Sequence, residues 1–294
     1  MATNRALKGR IRSVTNTRKI TRTMELVATS KLRRAQDRVV AARPYAEALR
    51  EVIADLVTPE LAERFPLLRR PALPSKGGPS RAVIILITSN RGLAGGFNAN
   101  LIKEARRRIE ALQAEGYTVE LVAVGKKGIG FFRYLGWSFR TERIDISDRP
   151  TAEHAASLVE ELMADYASGQ LGVVELVQSR FLSVLNTPPG TVRILPIEAP
   201  AQEAKGMRPD YILSPDPATL LEQVLPLYVR NMMYRGLVET VAAEQSARRT
   251  AMKNATDNAG ELIDALKRTY NRQRQAQITQ EIAELVGGAA ALQQ

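Results

Sequence analysis

Residues 220–285 read LLEQVLPLYVRNMMYRGLVETVAAEQSARRTAMKNATDNAGELIDALKRTYNRQRQAQITQEIAEL. At ~1.5 Å per residue, one helix of this length runs roughly 100 Å, well beyond the width of a small domain. Such a helix has to project and needs a sheath. A heptad runs through it: Leu220, Val224, Leu227, Asn231, Tyr234, Val238, Val241, Gln245, Arg248, Met252, Ala255, Ala259, Leu262, Leu266, Thr269, Gln273 and Ala276. Asp216-Pro217 supplies an N-cap followed by proline at the first helical position. Pro226 predicts a kink or a late start. Gly287-Gly288 predicts the end. Mid-seam residues Gln245, Arg248, Ala255 and Ala259 are small or polar, which allows a close approach of a second helix. The apolar tip from Ile278 to Leu292 needs a surrounding sleeve.

The second helix lies at the other end of the chain. Within residues 4–57 apolar or small side chains recur at Leu7, Ile11, Val14, Thr21, Met24, Ala28, Leu32, Ala35, Val39, Ala42, Ala46, Leu49, Ile53 and Leu56. The steps alternate between three and four, as in a coiled-coil seam. Arg18 interrupts the seam, and the step from Ala28 to Leu32 adds a stutter that locally unwinds a supercoil. Pro44 predicts a kink. Residues 1–57 hold thirteen Lys/Arg against five Asp/Glu, so most of the chain's net charge of +11 lies here.

Between these helices the character changes. Residues 58–80 carry Pro59, Pro66, Pro71, Pro74, Pro79 and Gly77-Gly78, and read as a linker. Ala82–Thr88 is an unbroken β-branched and apolar run, a buried strand. A glycine-rich turn follows at 90–98, then a helical face of Leu101, Ile102, Ala105, Ile109 and Leu112. Val119–Val124 reads as a strand, Gly125–Leu135 as a turn and short helix, and Ala152–Ala167 as a helix. Val173–Gln178 and Val192–Ile197 read as strands around the turn 186–190. Alternating strands and helices predict a largely parallel sheet. The expected organisation is an N-terminal helix over 1–57, a linker over 58–80, an α/β domain over 81–197, a linker over 198–217 and a C-terminal helix over 218–294. In fold class this is α/β plus long helices: an antiparallel coiled coil of the terminal helices with a central Rossmann-like α/β domain.

Composition narrows the chemistry. No cysteine is present, which excludes disulfides and thiol catalysis, and the single His154 excludes a multi-histidine metal site. No window approaches the ~20 apolar residues of a membrane span, and the basic N-terminus lacks the apolar core of a secretory signal. A pI near 10.1 implies an acidic partner. Gly92–Gly96 and Gly125–Gly130 sit where phosphate loops sit. Neither has the G-x-G-x-x-G spacing, nor a following Gly-Lys-Ser/Thr, so both read as strand-to-helix turns. His154 reads as a first-turn helix residue, and the adjacent acids Glu160-Glu161 point to different faces. No nucleophile–base or acid–base pair emerges, so no catalytic residue and no cofactor or metal site is expected. A basic coiled-coil nucleic-acid-binding protein is the alternative. Against it, residues 58–209 carry twenty Lys/Arg to sixteen Asp/Glu, residues 210–294 carry nine to ten, and Tyr45 is the only aromatic of the basic helix. A nucleotide-binding enzyme built on Gly92–Gly96 is a third reading.

Three stretches are distinctive. IRSVTNTRKITRTMELVA (11–28) with KLRRAQ (31–36) resembles the N-terminal helix of the gamma subunits of F-type ATP synthases. NRGLAGGFN (90–98) resembles that family's central loop. AMKNATDNAG (251–260), YNR (270–272) and QAQITQE (275–281) resemble its C-terminal helix. The resemblance implies the central rotor stalk of a proton-driven ATP synthase, its coiled coil inside a ring of three alpha and three beta subunits. It places the α/β domain at the foot, beside the epsilon subunit and the membrane c-ring. The subunit itself would bind no cofactor and no nucleic acid, and would lie peripherally on the cytoplasmic face of a bacterial cell membrane.

By the same resemblance, Arg274 and Gln275 match a pair that engages the beta catch loop, with Thr279 and Glu281 next to it. Lys19, Met24 and Arg248 match positions facing an acidic lever segment of beta. Tyr211, Leu213 and Ser214 match the foot that meets the rotor ring. Ala94 stands where many members have Cys, Arg249 where Met is common, and Ser214 where an acid is found; Pro226 is unusual. The chloroplast insert with its cysteine pair is absent between Ile197 and Asp210.

Overall fold

The computed structural model describes the backbone of residues 2–198 and 216–291, and the side chains of 4–198 and 216–286. Its elements are α1 (Ala2–Leu56), α2 (Pro59–Arg64), a 3-10 turn (Pro74–Lys76), β1 (Arg81–Ile87), α3 (Phe97–Ala114), β2 (Thr118–Val124), α4 (Lys126–Tyr134), β3 (Phe139–Arg143), α5 (Ala152–Ala167), β4 (Leu171–Ser179), β5 (Pro189–Leu195) and α6 (Pro217–Ala291). They fall into two compact units: Met1–Ala28 with Arg248–Gln294, and Thr29–Ala247.

In the larger unit five strands form one sheet, ordered β3-β2-β1-β4-β5. β1 pairs in parallel with β2 and β4, β2 in parallel with β3, and β4 antiparallel with β5. β1 is central because it is apolar on both faces. Val83, Ile85 and Ile87 join one buried cluster, and Ala82, Ile84 and Leu86 the other. The first cluster is closed by α5 (Leu158, Val159, Leu162), by Ile53 and Leu56 of α1, and by a row from α6: Leu221, Leu225, Val229, Met233 and Leu237. The second is closed by Leu101, Ala105, Ile109 and Leu112 of α3 and by Phe132 of α4.

α6 changes sides as it runs. Up to Leu237 it belongs to the first cluster; Ala243 belongs to the second, with Ala247 packed against it. The crossing is at the C-terminal end of β4. A Cβ on Gly236 would lie 2.5 Å from Leu176 Cδ2 and 2.3 Å from Gln178 Oε1, so the helix needs a bare backbone there. Next to the crossing, Leu32, Ala35 and Val39 of α1 bury with Val238 and Ala242 of α6 and Phe181 of the β4–β5 connection.

In the smaller unit the helices pair antiparallel through polar contacts. Asn4 Nδ2 donates to Gln277 Oε1 at 2.7 Å, and Thr256 Oγ1 to Thr21 Oγ1 at 2.8 Å. Arg18, the break in the seam, lays its guanidinium over Gly260, whose Cβ position lies 3.5 Å from Arg18 Cζ.

Every predicted seam residue of α1 is buried or half-buried. On α6 the predicted row is displaced. Leu227 is 41% exposed, and the deep row of the first half starts at Leu221, not Leu220. That half is packed on several sides, so a seven-residue period does not single out one face. Neither proline ends its helix: both assignments pass through Pro44 and Pro226, and exposed Pro44 leaves its unpaired carbonyl partner to water. α6 starts at Pro217, with Asp216 Oδ1 accepting from Thr219 N–H at 2.8 Å as its cap. Gly287-Gly288 does not end it either; α6 continues to Ala291, carried by the alanines beyond. The 58–80 stretch holds a capped helix, α2, with Thr58 Oγ1 accepting from Leu61 N–H. β3, FRTER, is an additional strand at the sheet edge, and β5 runs antiparallel to its neighbour.

Candidate partner-contact surfaces

The open place in an α/β sheet of this order is the crevice at the C-terminal ends of β1 and β4, where the chain reverses direction across the sheet. The glycine-rich turn 92–96 opens there, and α4 starts beside it. Three consecutive residues after β1 cap α4. Thr88 Oγ1 accepts from Gly128 N–H at 2.9 Å, the Ser89 carbonyl from Lys127 N–H at 3.1 Å, and Asn90 Oδ1 from Lys126 N–H at 3.0 Å. The amides that would cradle a phosphate are therefore engaged within the chain. Asn98 Oδ1 accepts from Ser89 N–H at 3.0 Å and ties the turn back to α3. Ala94 is buried in the cluster that α6 enters through Ala243, so helix occupies the crevice. The turn is structural, with Gly95 at φ 56 and Leu93 at φ 63. Gly125, at φ 97 with the Thr88 carbonyl oxygen 2.1 Å from its would-be Cβ, is required by the α4 junction.

At the same edge, loops grip the long helices. Asp148, between β3 and α5, ion-pairs with Lys31 of α1, and its carbonyl accepts from Arg38 Nη1 at 2.7 Å. Its Oδ1 accepts from Gln245 Nε2 of α6 at 3.1 Å. From the other side, Ser246 Oγ donates to the Val184 carbonyl, Ser179 N–H to Thr240 Oγ1 at 3.3 Å, and Phe181 N–H to Glu239 Oε2 at 3.4 Å. Sequence reasoning missed these ties. An aspartate before Arg-Pro in a loop carries no pattern that names partners 97 to 117 residues away.

Nearby charges are held by local pairing. Asp145 is pulled down to about 2, mainly by the hydrogen bonds that Arg143 donates to it at 2.7 and 2.8 Å. Glu104 is lowered by its hydrogen bond from Arg107. His154 caps α5 together with Thr151: each side chain accepts from the other's backbone N–H at 3.2 Å. Glu175, 3% exposed, receives a bidentate pair from Arg108 at 2.7 Å and a third contact from Arg193 at 3.2 Å. Among the described residues no group of acids and histidine is arranged to hold a metal ion.

The seven beta-contact candidates all fall in the smaller unit. Lys19, Arg274, Gln275, Thr279 and Glu281 are exposed, Met24 is half-buried, and Arg248 is only 8% exposed. Thr279 Oγ1 returns to the Gln275 carbonyl at 3.0 Å, and Glu281 accepts from Gln277 at 3.0 Å. Ile278, Ile282, Leu285 and Val286 are all exposed, an apolar segment without cover among the described residues. Tyr211, Leu213 and Ser214 lie outside the described residues. Among the described residues no helix is long and apolar enough to cross a membrane.

Two long terminal helices, a Rossmann-like sheet whose second cluster α6 joins, and an exposed apolar helix end define a helix-bracketed α/β protein. A family model described as ATP synthase matches residues 3–292. The ATP synthase gamma chain of Gemmatimonas aurantiaca is 59% identical over 294 residues, covering 100% of both chains. That of Leptospira biflexa is 43% identical, covering 99% of this chain and 100% of its own. The chain belongs to the ATP synthase gamma chain family. In fold it is similar to a chain of the Euglena gracilis mitochondrial ATP synthase OSCP/F1/c-ring assembly in rotational state 3. The TM-score is 0.69 at 20% identity, covering 99% of this chain and 95% of that one. A chain of the rotor of the same enzyme gives 0.65 at 19% identity, covering 94% and 99%. These relatives lend no support to the nucleic-acid-binding alternative.

Proposed function

We propose that this chain is the central rotor stalk of a bacterial F-type ATP synthase. It turns with the membrane c-ring and drives the conformational cycle of the catalytic beta subunits. The observation that carries the reading is the family match running unbroken over residues 3–292. The uncovered apolar segment from Ile278 to Val286 supports it, because a sleeve of partner subunits removes that surface from water. The chain is non-catalytic in this reading. The first amides of α4, beside the glycine-rich turn, are engaged within the chain, and in this reading ATP chemistry falls to the beta subunits.

Three alpha and three beta subunits surround the helix pair, with epsilon and the c-ring at the foot. Tyr211, Leu213 and Ser214 belong to that foot. Lys19, Arg274, Gln275, Thr279 and Glu281 meet beta directly, Met24 sits at the margin of the contact, and Arg248 acts from within the helix pair. The assembly sits peripherally on the cytoplasmic face of the cell membrane, coupled to protons.

Co-purification with the alpha and beta chains after co-expression tests the reading directly. Capture of both in equal amounts is expected, and failure of either to bind overturns it. Tight, saturable DNA binding at physiological salt would favour the nucleic-acid reading instead. Met24→Lys adds a charge facing the acidic lever segment of beta and is expected to lower ATP-driven proton pumping more than complex assembly. Normal pumping by that variant removes Met24 from the contact.

A further inference from the structure

Asp148 holds both long helices at once. Lys31 and Arg38 stand two turns apart on one stripe of α1, and Gln245 reaches the same residue from α6. Gln245 is 1% exposed and its Oε1 has no partner among the described residues, so Asp148 supplies the hydrogen bond that offsets the burial of its amide. The surrounding apolar cluster of Leu32, Ala35, Val39, Phe181, Val238 and Ala242 resists separation of the helices. Apolar burial is non-directional and fixes no single pair of atoms. Hydrogen bonds have preferred lengths and angles and resist a helix turning about its own axis.

We propose that Asp148 is a positioning residue for torque, locking α1 and α6 in rotation to the α/β layer so that helices and sheet turn together. This rests on the rotor reading above. Among the described residues, six polar ties are seen between the loops at this edge of the sheet and the two helices: Lys31 and Gln245 to the Asp148 carboxylate, Arg38 to its carbonyl, and the Ser246–Val184, Thr240–Ser179 and Glu239–Phe181 contacts. Asp148→Ala removes two of the six. Asp148→Asn removes the charge that pairs with Lys31 and keeps an oxygen for Gln245 and the carbonyl for Arg38.

The test uses assembled complexes whose alpha and beta subunits are fixed to a surface. A bead is coupled to a single introduced cysteine on the α/β surface, which the cysteine-free chain permits. Angular fluctuation of the bead at rest reports rotational stiffness. With load shared evenly among directional ties, the mean-square excursion rises roughly 1.5-fold in Asp148→Ala and about 1.2-fold in Asp148→Asn and in Lys31→Met. Excursions equal to those of the parent chain overturn the proposal, even if assembly yield falls, because the residue then serves folding alone. Should Asp148→Ala fail to assemble, Asp148→Asn and Lys31→Met decide the matter by the same measurement. Failure of the parent chain itself to assemble and rotate with alpha and beta would count against the rotor reading, and not against Asp148 in particular.

Discussion

Gly236→Val places a side chain where α6 crosses the end of β4. The added Cβ alone would lie 2.5 Å from Leu176 Cδ2 and 2.3 Å from Gln178 Oε1. Carbon pairs rest at ~3.5–4.0 Å, so the contact with Leu176 is short by about 1 Å. Gln178 is the end of a flexible side chain and can swing; Leu176, 1% exposed at the centre of its cluster, cannot. Two effects oppose one another. Glycine inside a helix is ~1 kcal/mol worse than alanine, so propensity alone makes Gly236→Ala stabilising. Overpacking a filled core costs ~1–3 kcal/mol, which leaves alanine roughly 0–2 kcal/mol destabilising. Valine adds two methyl groups and loses part of the propensity gain through β-branching, so its net cost is about 2–3 kcal/mol. At ~2–4 °C per kcal/mol, the melting temperature of the full chain falls by roughly 4–12 °C. Circular dichroism melts of parent, alanine and valine chains measure this. If alanine raises the melting temperature and valine leaves it unchanged, propensity governs the position and the close seat of α6 on β4 is refuted.

Other outcomes follow from the same packing. Gly125→Ala combines φ 97 with a 2.1 Å approach to the Thr88 carbonyl oxygen; a loss of at least ~2 kcal/mol is expected in urea unfolding. Met233→Ala is expected to cost ~2–5 kcal/mol because it opens a cavity under α6, whereas Leu227→Ala, at an exposed position, stays within ~0.5 kcal/mol of the parent. Reversal of that order would restore the heptad row read from the sequence. The hydrogen bonds from Arg143 hold the Asp145 carboxyl at about 2, below the ordinary aspartate value of 3.8. Its contribution to stability is therefore complete above the unfolded value and is lost as pH falls from about 4 towards 2. Half-exposed, the carboxylate contributes modestly, and Asp145→Asn is expected to flatten the stability–pH slope only in that window. An unchanged slope would mean that the Arg143 pairing does not persist in solution.

What could be read from the sequence tracks how one-sided each element is. α1 buries one main stripe, so every residue picked out by counting threes and fours, from Leu7 to Leu56, is buried or half-buried, although Glu25 is buried as well. The first half of α6 is packed by the sheet, α5 and α1 together, and there the period of apolar residues stops identifying a face: Leu220 and Leu221 both fit, and only packing separates them. β1 announced itself because both its faces are covered. β3 did not, because a five-residue edge strand of Phe, Arg, Thr, Glu and Arg alternates in nothing a pattern can detect. The antiparallel course of β5 follows from its tight connection to β4. The glycine-rich turns were set aside on spacing; that the first amides of α4 are capped from within the chain could be seen only in the structure. Thr88, Ser89 and Asn90 reach forward about 40 residues to cap α4. The candidate contacts on α1 and α6 were legible only through resemblance, since an exposed Arg274 or Thr279 has no local signature of a partner.

The passage of α6 across the sheet also bears on how the protein is made. The strands and α5 leave the ribosome before α6, yet one face of β4 is completed only by Leu221, Leu225, Val229, Met233 and Leu237. Those residues lie near the start of a helix of 75 residues at the C-terminal end of the chain. At ~5–20 residues per second, translating that helix takes roughly 4–15 s. For the start of that interval the nascent domain displays the apolar surface that α6 will cover. Its residues up to Leu237 close that face, Val238, Ala242 and Ala243 complete the two remaining clusters, and the rest of the helix is made afterwards. The order of synthesis thus separates the helix into an early part that finishes a fold and a late part made after that fold can close.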